Sequence, residues 1–145
     1  AFAKSQIECG TILPSKGKVF ISIDDENKKF IITIVKKLID LNFQIVATKG
    51  TAKFLNDHNL KVETINKVKE GGSHIVKAIT NNMIDLVINT TKTQGSIRDS
   101  YSIRRTALTF NIPYYTTIAG AKVAVDTIEH LKNNNLKVKS LQDLN

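Results

Sequence analysis

The sequence predicts an α/β fold, an open parallel sheet of about five strands with helices on both faces in a Rossmann-like arrangement. Three observations carry that expectation. Short apolar, β-prone runs alternate with stretches of helical period along most of the chain. The longer runs are continuously apolar rather than alternating, as strands covered on both faces require. Each run stops in polar residues just before the next helix, and the crevice above such strand ends is where ligands of these sheets bind.

Residues 1–16 carry Gly10 and Pro14 among polar residues without sustained periodicity, so they read as a connector and leave 17–145 as one domain. Lys18 to Ile23 is the first buried strand, stopped by Asp24, Asp25, Glu26 and Asn27. Lys28 to Leu41 places Phe30, Ile31, Ile34, Val35, Leu38 and Ile39 on one stripe, an amphipathic helix with Asn27 as its cap. Phe43 to Ala47 is the second strand, and Ala52 to Asn59 a second helix. Lys61 to Thr64 is a short strand, Ile65 to Gly72 a polar loop, and Ser73 to Asn81 a helix. Ile84 to Ile88 is a further strand. Ser96 to Phe110 follows as a helix with Ile103, Ala107 and Phe110 inward, then Ile112 to Tyr115 as the last strand and Ile118 to Leu131 as the last helix.

At 145 residues and 41% hydrophobic composition, the chain suits one compact domain with a real core. Cys9 is the only cysteine, which excludes an internal disulfide framework and makes a reducing, cytoplasmic setting the expectation. No apolar run reaches the roughly 20 residues of a membrane span, and no secretion signal is visible. The chain begins Ala-Phe-Ala-Lys without an initiator Met, so it is expected to be a piece of a longer polypeptide. A net charge of +8 invites a nucleic-acid reading. The lysines are scattered, aromatics are 6% of the chain and zinc-finger spacing is absent, so solvated lysine is the better account and no nucleic-acid partner is expected. The positive excess still favours a small anionic ligand.

Gln44 to Thr51 reads strand, tight turn, helix. Such a helix start offers unpaired N–H groups and a positive dipole end, and Thr48 and Thr51 add hydroxyls. The plainer alternative makes Thr51 a simple N-cap and Gly50 a turn residue. Lys28 and Lys67, from separate loops, could join the two threonines around a phosphate. Asn89 and Thr91 suit a ribose or base. Dinucleotide, Walker-type and zinc-protease motifs are absent. His58, His74 and His130 are too far apart in sequence to suggest a local metal site, while Asp99 complements a helix start and Arg98, Arg104 and Arg105 suit ion pairs on the same helix.

Four ordered stretches carry a resemblance: Ala-Thr-Lys-Gly-Thr (47–51), Asn-Lys-Val-Lys-Glu-Gly (66–71), Asp-Leu-Val-Ile-Asn-Thr-Thr (85–91) and Asp-Ser-Tyr-Ser-Ile-Arg-Arg-Thr-Ala-Leu (99–108). Together they resemble the C-terminal regulatory domain of the glutamine-dependent carbamoyl-phosphate synthase large subunit, also called the methylglyoxal-synthase-like domain. The resemblance covers essentially the whole chain, its Ala-Phe-Ala-Lys-Ser-Gln lead-in included. It implies a non-catalytic effector domain without a cofactor of its own. The implied parent is an ATP-dependent ligase using Mg or Mn, which makes carbamoyl phosphate for pyrimidine and arginine synthesis. The implied partners are the synthetase domains of the same subunit and the glutaminase small subunit. The implied effectors are UMP, IMP and ornithine. The family's phosphate contacts fall on Lys28, Thr48, Thr51 and Lys67; its ribose and base side falls on Asn89, Thr91 and Asp99, with Ser22 at the floor. Ornithine contacts would fall on Tyr114 and Thr116, although Pro113 and Tyr115 beside them depart from the pattern of ornithine responders.

The alternative is a lyase of the methylglyoxal synthase type, which shares this fold and needs a carboxylate base and a histidine. In that family the base follows a Gly-Gly pair. Here Gly71, Gly72, Ser73 and His74 occupy that region without an Asp, and the family's histidine position falls near Ser96.

Overall fold

The computed structural model describes residues 17–65, 75–90 and 94–143, apart from the side chains of 94–100 and 134–143. The expected connector 1–16, Lys67, Thr91 and the Gly71–His74 region therefore lie outside the described residues, as does the side chain of Asp99. Among the described residues five strands alternate with five helices: β1 Gly17–Ser22, α1 Lys28–Asp40, β2 Phe43–Ala47, α2 Lys49–Asp57, β3 Glu63–Thr64, α3 Ile75–Thr80, β4 Leu86–Asn89, α4 Gln94–Thr109, β5 Tyr114–Tyr115 and α5 Ile118–Asp143. A 3-10 turn over Asp25–Asn27 leads into α1.

The sheet is wholly parallel, in the order β3-β2-β1-β4-β5. Chain order runs outward from β1 to β3 on one side and then jumps across to β4 on the other. The order therefore reverses between β1 and β4, the position at which a crevice opens above the strand ends. Register places Ser22 beside Asn89 at that point.

β1 is buried on both faces, and its alternating side chains feed two separate cores. Val19 and Ile21 join Ile31, Ile34, Val35 and Leu38 of α1, Ala52 and Leu55 of α2, and Ala121, Val125 and Ile128 of α5. Phe20 points the other way, to Ile75 and Ile79 of α3, Val87 of β4 and Ile103 of α4. Helices thus cover both faces, as the continuous apolar runs predict.

Several boundaries differ from the sequence expectation. α2 begins at Lys49, so Lys-Gly-Thr forms the first helical turn instead of a turn preceding it. β5 is reduced to Tyr114–Tyr115, because Pro113 has no N–H and contributes only its carbonyl, which accepts from Val87 at 2.9 Å. Phe110 is 39% exposed rather than inward. It follows the end of α4, where Asn111 adopts φ 57° and turns the chain away. α5 continues through the Asn133–Asn135 run to Asp143, since asparagine lowers helix propensity without breaking the hydrogen-bond ladder.

One device recurs at helix ends. Asn42, Asn59, Asn82 and Asn111 all have φ between 57° and 71°, and each follows one of the first four helices. The N–H after three of them reaches back five residues: Leu60 to the Leu55 carbonyl, Met83 to Ala78 and Ile112 to Ala107, at 2.8–3.0 Å. These are Schellman-type caps with asparagine in the place usually held by glycine. They turn the chain back toward the sheet after these helices.

Candidate functional site

Among the described residues, the buried polar ones are Ser22, Thr51, Asn89 and Thr90, at 1–3% exposure. All four lie at or just beyond the C-terminal ends of β1, β2 and β4. Burying hydroxyls and amides costs free energy unless they are hydrogen-bonded, and here Ser22 meets Thr48, Thr51 meets Ile23, Asn89 meets Tyr114 and Thr90 meets Asp24.

Thr48 is the N-cap residue of α2, with extended backbone (φ −64°, ψ 159°), and its carbonyl accepts the first helical N–H, from Ala52, at 2.7 Å. Its hydroxyl makes no capping bond to the helix. Instead Thr48 Oγ1 lies 3.3 Å from Thr51 Oγ1 and 3.5 Å from Ser22 Oγ. Thr51 Oγ1 accepts the Ile23 N–H at 3.1 Å and donates to the Ile23 carbonyl at 3.4 Å. The plainer reading of Thr51 as the N-cap is thereby corrected: Thr51 lies in the first turn of the helix and ties it to the residue just past β1. The first N–H groups of α2 and their positive dipole end face outward beside this hydroxyl cluster.

Lys28 approaches from α1. Its Nζ lies 3.7 Å from the position a Cβ on Gly50 would take, which sets the amine over the first turn of α2. The same Nζ donates to Asp25 Oδ1 at 2.6 Å. The β1–α1 and β2–α2 connections thus bring the Ser22, Thr48 and Thr51 hydroxyls into contact and set Lys28 over the turn that carries Thr51. Asn89 stands opposite Ser22, and its Nδ2 donates to the Tyr114 hydroxyl at 3.0 Å. Burial raises the Tyr114 pKa, against the lowering effects of the Asn89 hydrogen bond and the Arg104 charge.

Sequence reasoning missed the Asp24–Thr90 clasp that closes the crevice floor. Thr90 Oγ1 donates to Asp24 Oδ1 at 2.5 Å and accepts the Asp24 N–H at 3.3 Å, while the Thr90 N–H reaches the Ser22 carbonyl at 3.0 Å. Asn27 Nδ2 donates to the same Asp24 oxygen at 2.7 Å, which explains why Asn27 precedes α1 without capping it. The available signal was the pairing of strand ends across the reversal, invisible until β1 is known to lie beside β4.

Tyr114 and Thr116, the ornithine-side residues of the resemblance, line a separate cavity of about 250 Å³ with Arg104, Leu108, Ile112 and Pro113. Tyr114 belongs to both places, since its hydroxyl reaches Asn89 in the crevice. Among the described residues no cluster of side chains could hold a metal ion, and no helix is long and apolar enough to cross a membrane.

Comparison with known proteins accords with this architecture. The chain is 46% identical over 143 residues to the carbamoyl phosphate synthase large chain of Mesorhizobium japonicum, covering 99% of this chain and 12% of that one. It is 43% identical to the carbamoyl phosphate synthase large chain, C-terminal section, of Methanopyrus kandleri, covering 99% of this chain and 27% of the relative. The chain thus spans about one eighth of the length of the full-length relative. Among solved structures, methylglyoxal synthase from Elizabethkingia anophelis superposes with a TM-score of 0.60 at 19% identity, over 78% of this chain and 79% of that one, a likeness of fold. The family model described as MGS-like domain matches residues 30–116, a span that runs from α1 to the end of β5. The chain belongs to the MGS-like domain family.

Proposed function

We propose that this chain is an effector-binding domain that holds a nucleoside monophosphate and carries out no chemistry on it. The observation that carries the reading is that Lys28 Nζ stands over the first turn of α2, whose start carries the partly exposed Thr48 hydroxyl. An amine, the Thr48 hydroxyl and helix N–H groups together suit a phosphate dianion, with Ser22 and Thr51 as the buried hydroxyls that fix Thr48. Lys67 would add a second amine and Asn89, Thr91 and Asp99 would meet the ribose and base. UMP and IMP are the proposed ligands. Ornithine is proposed for the Tyr114 and Thr116 side.

The parent is proposed to be a carbamoyl phosphate synthase large chain, a cytoplasmic ATP-dependent ligase using Mg or Mn and serving pyrimidine and arginine synthesis. Its partners would be the synthetase domains of the same chain, reached through the 1–16 connector, and a glutaminase subunit. Support comes from the high identity to large-chain relatives over nearly all of this chain. Regulation then requires that effector bind two states of the parent differently.

Calorimetric titration with UMP, IMP, ornithine and an oligonucleotide tests the reading. Saturable UMP or IMP binding, weakened by about 1 to 3 kcal/mol in Lys67→Ala through loss of a charge-assisted contact, is expected. Binding only to the oligonucleotide, with steep salt dependence, overturns it. Incubation with dihydroxyacetone phosphate addresses the lyase alternative: methylglyoxal formation that Asp99→Asn abolishes would replace the regulatory reading with an enzymatic one.

A further inference from the structure

The amine best placed for an incoming phosphate is already engaged. Lys28 Nζ donates to Asp25 Oδ1 at 2.6 Å while standing over the first turn of α2. The two partners differ in setting: the Asp25 side chain is 92% exposed and that of Lys28 only 20%. Lys28 is therefore held by its surroundings, whereas Asp25 can swing into water. We propose that Asp25 is an internal competitor for the ligand phosphate: its carboxylate occupies the Lys28 amine in the empty site and must yield that amine when a phosphate dianion arrives. The inference rests on the reading of this crevice as a phosphate site, and it adds a residue that sets affinity and charge selectivity there.

The physical argument is one of charge and reach. A phosphate on the α2 side of the amine would sit about 5 Å from the displaced carboxylate, where two unit charges in a water-like medium change an equilibrium roughly fourfold. The dianion of a phosphomonoester gains more from Lys28 and the helix start than Asp25 can, so it displaces the carboxylate. A monoanion gains less and competes poorly. The contact therefore sets a threshold against weakly charged ligands. The plainer account of Asp25 is that it complements the N-terminal dipole of α1. That account predicts an effect on stability alone.

The test compares the wild type with Asp25→Asn, Glu26→Gln and Lys28→Ala, titrating each with UMP, inorganic phosphate and uridine at low ionic strength. Glu26 is the exposed neighbour of Asp25, so its substitution removes the same charge from the same turn. Unfolding midpoints establish that every variant is folded. The expected result is UMP and phosphate binding tightened about threefold to tenfold in Asp25→Asn, at most about twofold in Glu26→Gln, and unchanged for uridine. The difference should shrink as added salt shortens the screening length. Should wild type bind UMP and Lys28→Ala weaken it, while Asp25→Asn is no tighter than Glu26→Gln, the competitor role falls and the phosphate site stands. If folded wild type and Asp25→Asn bind neither UMP nor phosphate, the phosphate-site reading falls and takes this inference with it.

Discussion

Thr51 and Ile23 are joined across 28 residues by two hydrogen bonds, the Thr51 hydroxyl accepting the Ile23 N–H at 3.1 Å and donating to its carbonyl at 3.4 Å. This side chain, 2% exposed, satisfies both backbone groups of the residue that follows β1. Thr51→Val keeps the shape and strands those groups, at a cost of about 1 to 3 kcal/mol. Urea unfolding should show a lowered midpoint with an unchanged slope, and Thr51→Ser should recover most of the loss. A valine variant as stable as wild type would mean that the Ile23 groups find other partners.

Gly50 poses a conflict between stability and binding. It stands in the first turn of α2 with ordinary helical backbone, and a Cβ there would meet only Lys28 Nζ, at 3.7 Å. Gly50→Ala should therefore raise stability by up to about 1 kcal/mol through helix propensity. The added methyl would occupy the space between the amine and the helix N–H groups, so affinity for UMP should fall. Paired thermal melts and calorimetry check this, and a variant that gains stability without losing affinity would move the ligand away from Gly50.

Gly17 is glycine for a different reason. Its φ of 124° is rarely adopted by other residues, and a Cβ would come within 1.8 Å of Asp85 Oδ2. That same oxygen accepts the Lys18 N–H at 3.0 Å, so it cannot retreat without loss. Gly17→Ala should cost about 1 to 3 kcal/mol from backbone strain, with the clash adding to it. Asp85→Ala in the same chain removes the clash and leaves the strain, so the double variant should be less destabilised than the sum of the singles. Strict additivity in a double-mutant cycle would count against the contact.

Three groups predict weakening at alkaline pH. Lys37 has a pKa raised above 10.5, chiefly by its hydrogen bond to Asp126 at 2.7 Å, and burial raises both Tyr114 and Tyr115 above 10.0. Each holds its proton more tightly folded than unfolded. The stabilisation is complete below the unfolded values and is lost as pH climbs from about 10 through the folded values. Urea midpoints should hold steady near pH 8 and fall by about pH 11. Lys37→Met should cost no more than about 1 kcal/mol, since its ion pair is partly exposed.

The Tyr115 hydroxyl is buried with no hydrogen-bond partner among the described residues. Tyr115→Phe should therefore be neutral or stabilising by about 1 kcal/mol near pH 8 and should flatten the alkaline decline. A marked loss of stability near pH 8 would show that this hydroxyl has a partner.

Much of the architecture follows from patterns of local origin. Continuous apolar runs such as Val-Phe-Ile demand cover on both faces, and the stripe in Lys28–Asp40 demands one apolar partner surface; those requirements are set by period and composition alone. A helix after Ala47 was readable too, although its start at Lys49 was not, since Thr-Lys-Gly-Thr reads equally well as a turn. The αL asparagines were legible in principle, as each is followed by an apolar residue. Asparagine is less diagnostic than glycine, and the signal passes unnoticed without backbone angles.

Residue identity and spacing by themselves therefore determined the alternation of strands and helices, the two-sided burial of the sheet, and a rim rich in amines, hydroxyls and amides. Strand order was beyond their reach, because parallel neighbours are joined by crossovers and nothing in a strand names its partner. Only the tertiary structure decided that β1 lies between β2 and β4. That placement sets Ser22 beside Asn89, lets Thr90 clasp Asp24, and carries Lys28 over Gly50 with Asp25 already on its amine. Apart from the local Asp25–Lys28 pair, these contacts join residues distant in the chain, so they exist only once packing has brought the strand ends to a common edge.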